Sequence, residues 1–124
     1  MENNLPSHKS LGIAREFLGK YIEVIFDRPF GSKHPKYGFV YEVNYGYIPN
    51  VMAGDGEELD AYFLGTKESL EKAKGIVIAI IHRENDDDDD KLVITKDGIQ
   101  ISDEEIMKAV EFQEKYFKSS IIRN

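Results

Sequence analysis

Asp55-Gly56-Glu57-Glu58-Leu59-Asp60-Ala61-Tyr62-Phe63-Leu64 gathers four carboxylates around one glycine and runs straight into an apolar, strand-like segment. Carboxylates crowded this closely repel one another, so a fold that collects them supplies a cation to share. Their hard oxygen donors suit Mg²⁺ or Mn²⁺ rather than zinc. The stretch therefore predicts a metal site, with phosphate as the group the metal serves. Its plain alternative is an Asp-Gly hairpin turn followed by ordinary strand-start carboxylates.

Working outward, residues 59–64 are one of several short strands. Residues 21–27 alternate, with Ile22, Val24 and Phe26 on one face and Tyr21, Glu23 and Asp27 on the other, as a half-buried strand does. Arg28-Pro29-Phe30-Gly31-Ser32 reads as a turn. Residues 38–43 alternate again, 75–81 are almost wholly apolar, 91–95 form a further strand and 98–101 a short one. Residues 66–74 read as two helical turns ending at Gly75. The first ten residues are polar and loosely held. Leu11, Ala14, Phe17 and Leu18 then fall at helical spacing, with Gly19 as the stop. Ser102 and Glu105 form a capping box ahead of Ile106, Ala109, Val110 and Phe117, which share one helix face. Together these elements predict a mainly β fold. It is a small closed five-stranded antiparallel barrel of the OB type, with a short N-terminal helix and a C-terminal helix.

At 124 residues the chain is expected to form one domain, 1–124, large enough for a core without staples. It has no cysteine, which removes disulfides, thiol catalysis and cysteine-ligated zinc. No apolar run approaches the ~18 residues of a membrane span, and residues 1–6 lack the basic and apolar regions of a secretory signal. A soluble cytoplasmic protein with no membrane partner is expected. The net charge is −7, and Glu84 with the run 86–90 accounts for six of those negative charges. The acidity is thus local. It disfavours a nucleic-acid partner, which requires a basic footprint, yet leaves enough lysine and arginine to line a pocket for a small anion.

Asn44-Tyr45-Gly46-Tyr47-Ile48, the acidic loop from Asp55 to Asp60, and Asp89-Asp90-Lys91-Leu92-Val93 occur in that order. In this combination the chain resembles the soluble Mg²⁺-dependent inorganic pyrophosphatases of the barrel type, over roughly 21–116. The resemblance implies Asp55, Asp60 and Asp89 as metal carboxylates, with Glu84 as a further ligand and Glu23 lining the site. It implies Tyr41, Tyr45 and Lys91 as contacts to phosphate oxygens, Lys33 as a product-phosphate ligand, and Tyr116 as the C-terminal tyrosine. The general base of the family is an aspartate where this chain has Glu57, one methylene longer. Phe117 follows Tyr116 where the family has a lysine, and the early lysine of the second strand has no counterpart; Arg28, Lys33 or Lys36 replaces it.

The resemblance thus implies a hydrolase that splits pyrophosphate with a metal-activated water, using Mg²⁺, or Mn²⁺ as the alternative, in a homo-oligomer. Two further readings stand beside it: hydrolysis of another phosphoanhydride, and a non-catalytic barrel that binds a metal or a phosphorylated metabolite.

Overall fold

The computed structural model describes residues 7–53, 56–84 and 89–124, with side chains from residue 10 onward. Helix α1 (Ser7–Arg15) precedes strand β1 (Tyr21–Arg28). Strands β2 (Asn44–Met52), β3 (Glu58–Leu64), β4 (Lys72–Arg83) and β5 (Lys91–Thr95) follow, then helix α2 (Asp103–Glu114) and strand β6 (Ser119–Ile122). The strands lie in the order β1-β2-β3-β5-β4-β6, and a β1–β4 pairing closes the first five into a barrel. The expected five-stranded barrel and both helices are therefore present.

The barrel is mixed rather than wholly antiparallel, because β3 and β5 run parallel. That pairing is decisive for the site: it sets Asp60 opposite Lys91, and Tyr62 opposite Val93. Strand alternation then sorts side chains to two faces. Leu59, Ala61 and Phe63 turn into the barrel with Val24, Phe26, Ile48, Ile80 and Leu92, and Leu11 and Ala14 of α1 cover this core. Tyr62 and Leu64 turn outward to a second core with Tyr45, Val93, Ile106, Val110 and Phe112, formed where α2 lies on the barrel. Asp60 and Lys91, in register with these residues, share the outer face.

Gly46 shows how tightly β1 and β2 approach: a Cβ there would stand 1.8 Å from the Ile25 carbonyl oxygen. The glycine of the Asn-Tyr-Gly-Tyr segment is thus required by backbone contact. Helix α2 starts as its sequence predicts, with the Ser102 hydroxyl accepting the Glu105 N–H at 3.2 Å. Asp103, Glu104 and Glu105 occupy its first turn, where carboxylates complement the helix dipole.

Other sequence expectations differ from the structure, and Phe117, expected on the face of the last helix, lies beyond the end of α2. Residues 38–43 form no strand beyond a single bridge between Lys33 and Val40. Their alternation records a folded loop in which Tyr41 is buried and Val40 is exposed. Residues 66–74 are not helical; β4 begins at Lys72, and the Asn44 side chain organises the preceding loop by accepting Leu70 N–H and donating to Glu68 O. Residues 98–101 form no strand, while β6, which the sequence did not reveal, adds to β4. No helix among the described residues is long and apolar enough to cross a membrane.

Candidate active site

A cavity of about 710 Å³ opens on the outer face of the barrel, where the ends of β1, β2, β3, β4 and β5 meet the C-terminal end of α2 and the 28–41 loop. Asp27, Arg28, Asp60, Arg83 and Lys91 bring charge to it; Tyr41, Tyr45 and Gln113 bring polar groups. His34, Tyr37, Phe39, Tyr116 and Phe117 supply a wall of rings.

Lys91 is the pivot of the charged side. It is almost fully buried, and its Nζ donates to Asp60 Oδ2 at 3.0 Å and also to Asp89 Oδ1. Burial alone would push the ammonium towards neutrality, but Asp60 and Asp89 outweigh it, so its pKa is raised and the charge is kept. Tyr45 donates its hydroxyl to the same Asp60 oxygen at 3.0 Å. Burial first, and then the Asp60 charge, raise that phenol well above its ordinary value, so it remains a donor.

From Asp89 the network continues inward. Arg83 donates Nη1 to Asp89 at 2.7 Å, and Nε and Nη2 to the two Glu114 oxygens at 3.1 and 2.7 Å. Glu114 also accepts from Tyr62 and Ser119, Gln113 donates to Tyr62, and Tyr41 donates to Gln113. Burial by itself would raise the Glu114 carboxyl; the Arg83 guanidinium, with the Ser119 and Tyr62 hydroxyls, overrides this and lowers it. The result is one continuous line of hydrogen bonds from Tyr45 to Tyr41, crossing four strands' worth of backbone and the end of α2.

Of the residues singled out by sequence, Asp60, Tyr41, Tyr45, Lys91, Arg28 and Tyr116 line the cavity, and Asp89 joins them through Lys91 and Arg83. Asp55 lies outside the described residues. Glu57 stands exposed in the turn before β3, next to Gly56 at φ 85°, and is not among the residues that line the cavity. Glu23, Lys33 and Glu84 do not line the cavity. Glu23 pairs with Lys74 in the β1–β4 ladder, four residues or roughly 13 Å along the strand from Asp27. Asp27, the last residue but one of β1, stands at the cavity rim. Burial, opposed by Arg28 and reinforced by Asp60, raises the Asp27 carboxyl. Lys33 bridges to Val40 and is exposed, while its neighbour His34 turns to the cavity. Glu84 sits 3.8 Å from the Lys118 ammonium at the β4–β6 edge.

Asp27, Arg83, Gln113 and Glu114 carried no sequence signal of their own. Asp27 was readable only as a strand residue before the Arg28-Pro29 turn. The described residues contain no group of three carboxylates or histidines able to hold an ion. They do contain Asp60 and Asp89 drawn to one ammonium, two carboxylates whose hard oxygens are of the kind that bind divalent cations.

Carboxylates, buried cations and protonated phenols thus gather on the outside of a small barrel, a set of groups suited to binding phosphate. The chain belongs to the inorganic pyrophosphatase family, whose profile matches residues 22–121. Members of that family work with a divalent metal and hydrolyse pyrophosphate. Among solved structures, the inorganic pyrophosphatase of Helicobacter pylori is similar, with a TM-score of 0.66 and 19% identity over 84% of this chain and 85% of that one. The enzyme of Ehrlichia chaffeensis gives 0.62 and 19% identity, covering 83% and 85%. That of Neisseria gonorrhoeae gives 0.60 and 19%, covering 79% and 74%. No curated protein matches by sequence.

Proposed function

We propose that the chain, as a single domain over 1–124, is a Mg²⁺-dependent inorganic diphosphatase that converts pyrophosphate to two phosphates. The observation that carries this reading is the convergence of Asp60 and Asp89 on buried Lys91 beside Tyr45, on the outer face of a barrel of the pyrophosphatase family. Asp55, Asp60 and Asp89 would hold the metal, with Mn²⁺ the alternative ion. When bound, Mg²⁺ would supply Lewis acidity to the attacking water and charge neutralisation to the phosphates.

The reaction then needs an in-line water, a proton acceptor and donors for the departing phosphate. Glu57, three residues before Asp60 in the sequence, is the acceptor assigned to the proton of the water. Lys91 keeps its charge in the cavity wall and donates to non-bridging phosphate oxygens, as does Arg28 at the rim. Tyr41 flanks the phosphates, and Tyr116 contacts the substrate from the ring wall, where it lies against Phe39. The Tyr45 hydroxyl donates to Asp60 and so orients that carboxylate beside the phosphates. Cytoplasmic residence and homo-oligomerisation belong to the same reading and rest on the family alone.

The test is phosphate release from pyrophosphate by the purified protein, with and without Mg²⁺. Release that depends on the metal supports the assignment. Absence of release with Mg²⁺ and with Mn²⁺ overturns it and leaves a binding barrel.

A further inference from the structure

The cavity is more aromatic than pyrophosphate requires, and it has room for more than the metal and two phosphates would use at its charged end. Its volume of about 710 Å³ falls in the range that accommodates organic ligands, roughly 300–1,000 Å³; pyrophosphate is only two phosphates joined through one oxygen. Charge is concentrated at the Asp60–Lys91 end. The opposite side is built from rings.

Two of those rings are largely exposed, each with one lysine ammonium near it: Lys36 Nζ stands 5.3 Å from the Tyr37 centroid and Lys115 Nζ 5.4 Å from that of Tyr116. Tyr37 is 68% exposed and Tyr116 59% exposed, although both belong to the cavity lining. Each is supported on one side by another ring: His34 lies 4.9 Å from Tyr37 between centroids, and Phe39 lies 5.8 Å from Tyr116 at an angle of 26°. Phe39 also contacts His34, so the four rings form one connected platform. Exposed aromatic surface is costly to leave in water. A platform joined to an anion site offers both halves of what a phosphorylated planar ligand presents. Arg83 does not alter this character, because its charge is engaged by Glu114 and Asp89 and its face lies 3.7 Å from the Phe117 ring.

We propose that this cavity also takes an organic diphosphate, a nucleoside 5′-diphosphate, with its anhydride at the Asp60–Lys91 end and its base stacked on Tyr37 and Tyr116. The inference rests on the pyrophosphatase reading, since it uses the same water and the same phosphate donors. The water oxygen bonds to the terminal phosphorus, and the bond from that phosphorus to the bridging oxygen breaks. The bridging oxygen leaves with its electron pair as part of the nucleoside monophosphate. One water proton passes to Glu57 and on to solvent, and the other stays on the hydrogenphosphate product. No oxidant or further reactant is needed.

The experiment compares kcat/KM for pyrophosphate, ADP and methyl diphosphate in Mg²⁺, for the wild type and for Tyr37→Ala and Tyr37→Phe, with the oligomeric state of each measured by sedimentation. The expected result is cleavage of ADP to AMP and phosphate, faster than that of methyl diphosphate. Tyr37→Ala should lower the ADP-to-pyrophosphate ratio about tenfold, the size of one base–aromatic stack, and Tyr37→Phe should restore it. Cleavage of pyrophosphate without cleavage of ADP overturns the proposal and leaves the pyrophosphatase reading intact. Equal rates for ADP and methyl diphosphate overturn stacking. A parallel fall for all substrates with loss of oligomer overturns it too, and assigns the platform to a subunit contact. Inactivity towards all three overturns the underlying reading.

Discussion

Arg83 grips both carboxylate oxygens of Glu114, at 3.1 and 2.7 Å, and so ties the end of β4 to the end of α2 behind the cavity. Both side chains are nearly inaccessible to water, 5% and 1% exposed. A buried pair of this kind is costly to break, because the remaining charge stays desolvated. Glu114→Gln is expected to destabilise the fold by about 3–5 kcal/mol, read as a lowered midpoint of urea unfolding. A wild-type midpoint in that variant would show that Arg83 finds its compensation elsewhere.

The same pair predicts an acid limb. The Glu114 carboxyl is lowered in the folded chain, so the folded state releases its proton more readily than the unfolded state. Its contribution to stability is complete above the ordinary carboxylate pKa and is lost as pH falls through the lower folded value. Urea midpoints measured from neutral pH downward should therefore drop in the acid range. Glu114→Gln should flatten that drop while lowering the plateau. A variant with an unchanged acid slope would locate the titration in another carboxylate.

Asp60 carries three burdens at once: it accepts from Tyr45, pairs with Lys91 and is proposed to hold the metal. Asp60→Asn keeps the shape and removes the charge. It should cut kcat/KM for pyrophosphate by on the order of a hundredfold or more, comparable to removing one principal electrostatic group from a transition state. Asp97→Asn, on an exposed turn after β5, serves as the control and should stay near wild type. Similar losses in both would remove Asp60 from its assigned place.

How far these residues could be read from sequence depends on what wrote the pattern. Residues 21–27 and 75–81 became strands because burial on a sheet imprints period two or a continuous apolar run. Residues 38–43 carry the same alternation for another reason: Phe39 and Tyr41 face the cavity from a loop, and periodicity cannot tell that from a strand. Asp60, Lys91 and Tyr45 were legible because they lie inside short motifs. Arg83 was not, since its meaning comes from Glu114, 31 residues away across a helix docking that no local spacing encodes. β6 was missed for a similar reason, being four residues that form a strand only because the β4 edge is there to pair with.

Gly46→Ala tests the packing of the barrel independently of the chemistry. The added carbon would meet the Ile25 carbonyl at 1.8 Å, with the Phe26 Cα at 2.7 Å, so β1 and β2 must separate. Backbone cannot yield as a side-chain tip can. A loss above about 3 kcal/mol is expected, beyond the usual cost of overpacking, and thermal unfolding would register it. A wild-type transition would mean that the two strands are less closely apposed in solution.

His34 occupies the place in the cavity wall where the sequence had suggested Lys33. Its Nδ1 accepts the backbone N–H groups of Lys36 and Tyr37, both at 3.1 Å. A nitrogen that accepts two N–H groups carries no proton, so the neutral ring is protonated at Nε2 and acts there as a donor. Protonating Nδ1 would set it against both N–H groups. Desolvation, then Arg28 and Lys36, lowers the pKa of the ring. The sign follows: the unfolded chain takes up the proton first, so the loop's stability is complete above histidine's ordinary pKa. It is lost as pH falls through the lower folded value. Nitrogen-15 spectra of the imidazole should show an Nε2–H tautomer near neutral pH, with Nδ1 protonated only below the ordinary histidine range. An Nδ1–H tautomer would dissolve the latch that holds residues 34–37 in their turn, and with it the placement of Tyr37 against the cavity.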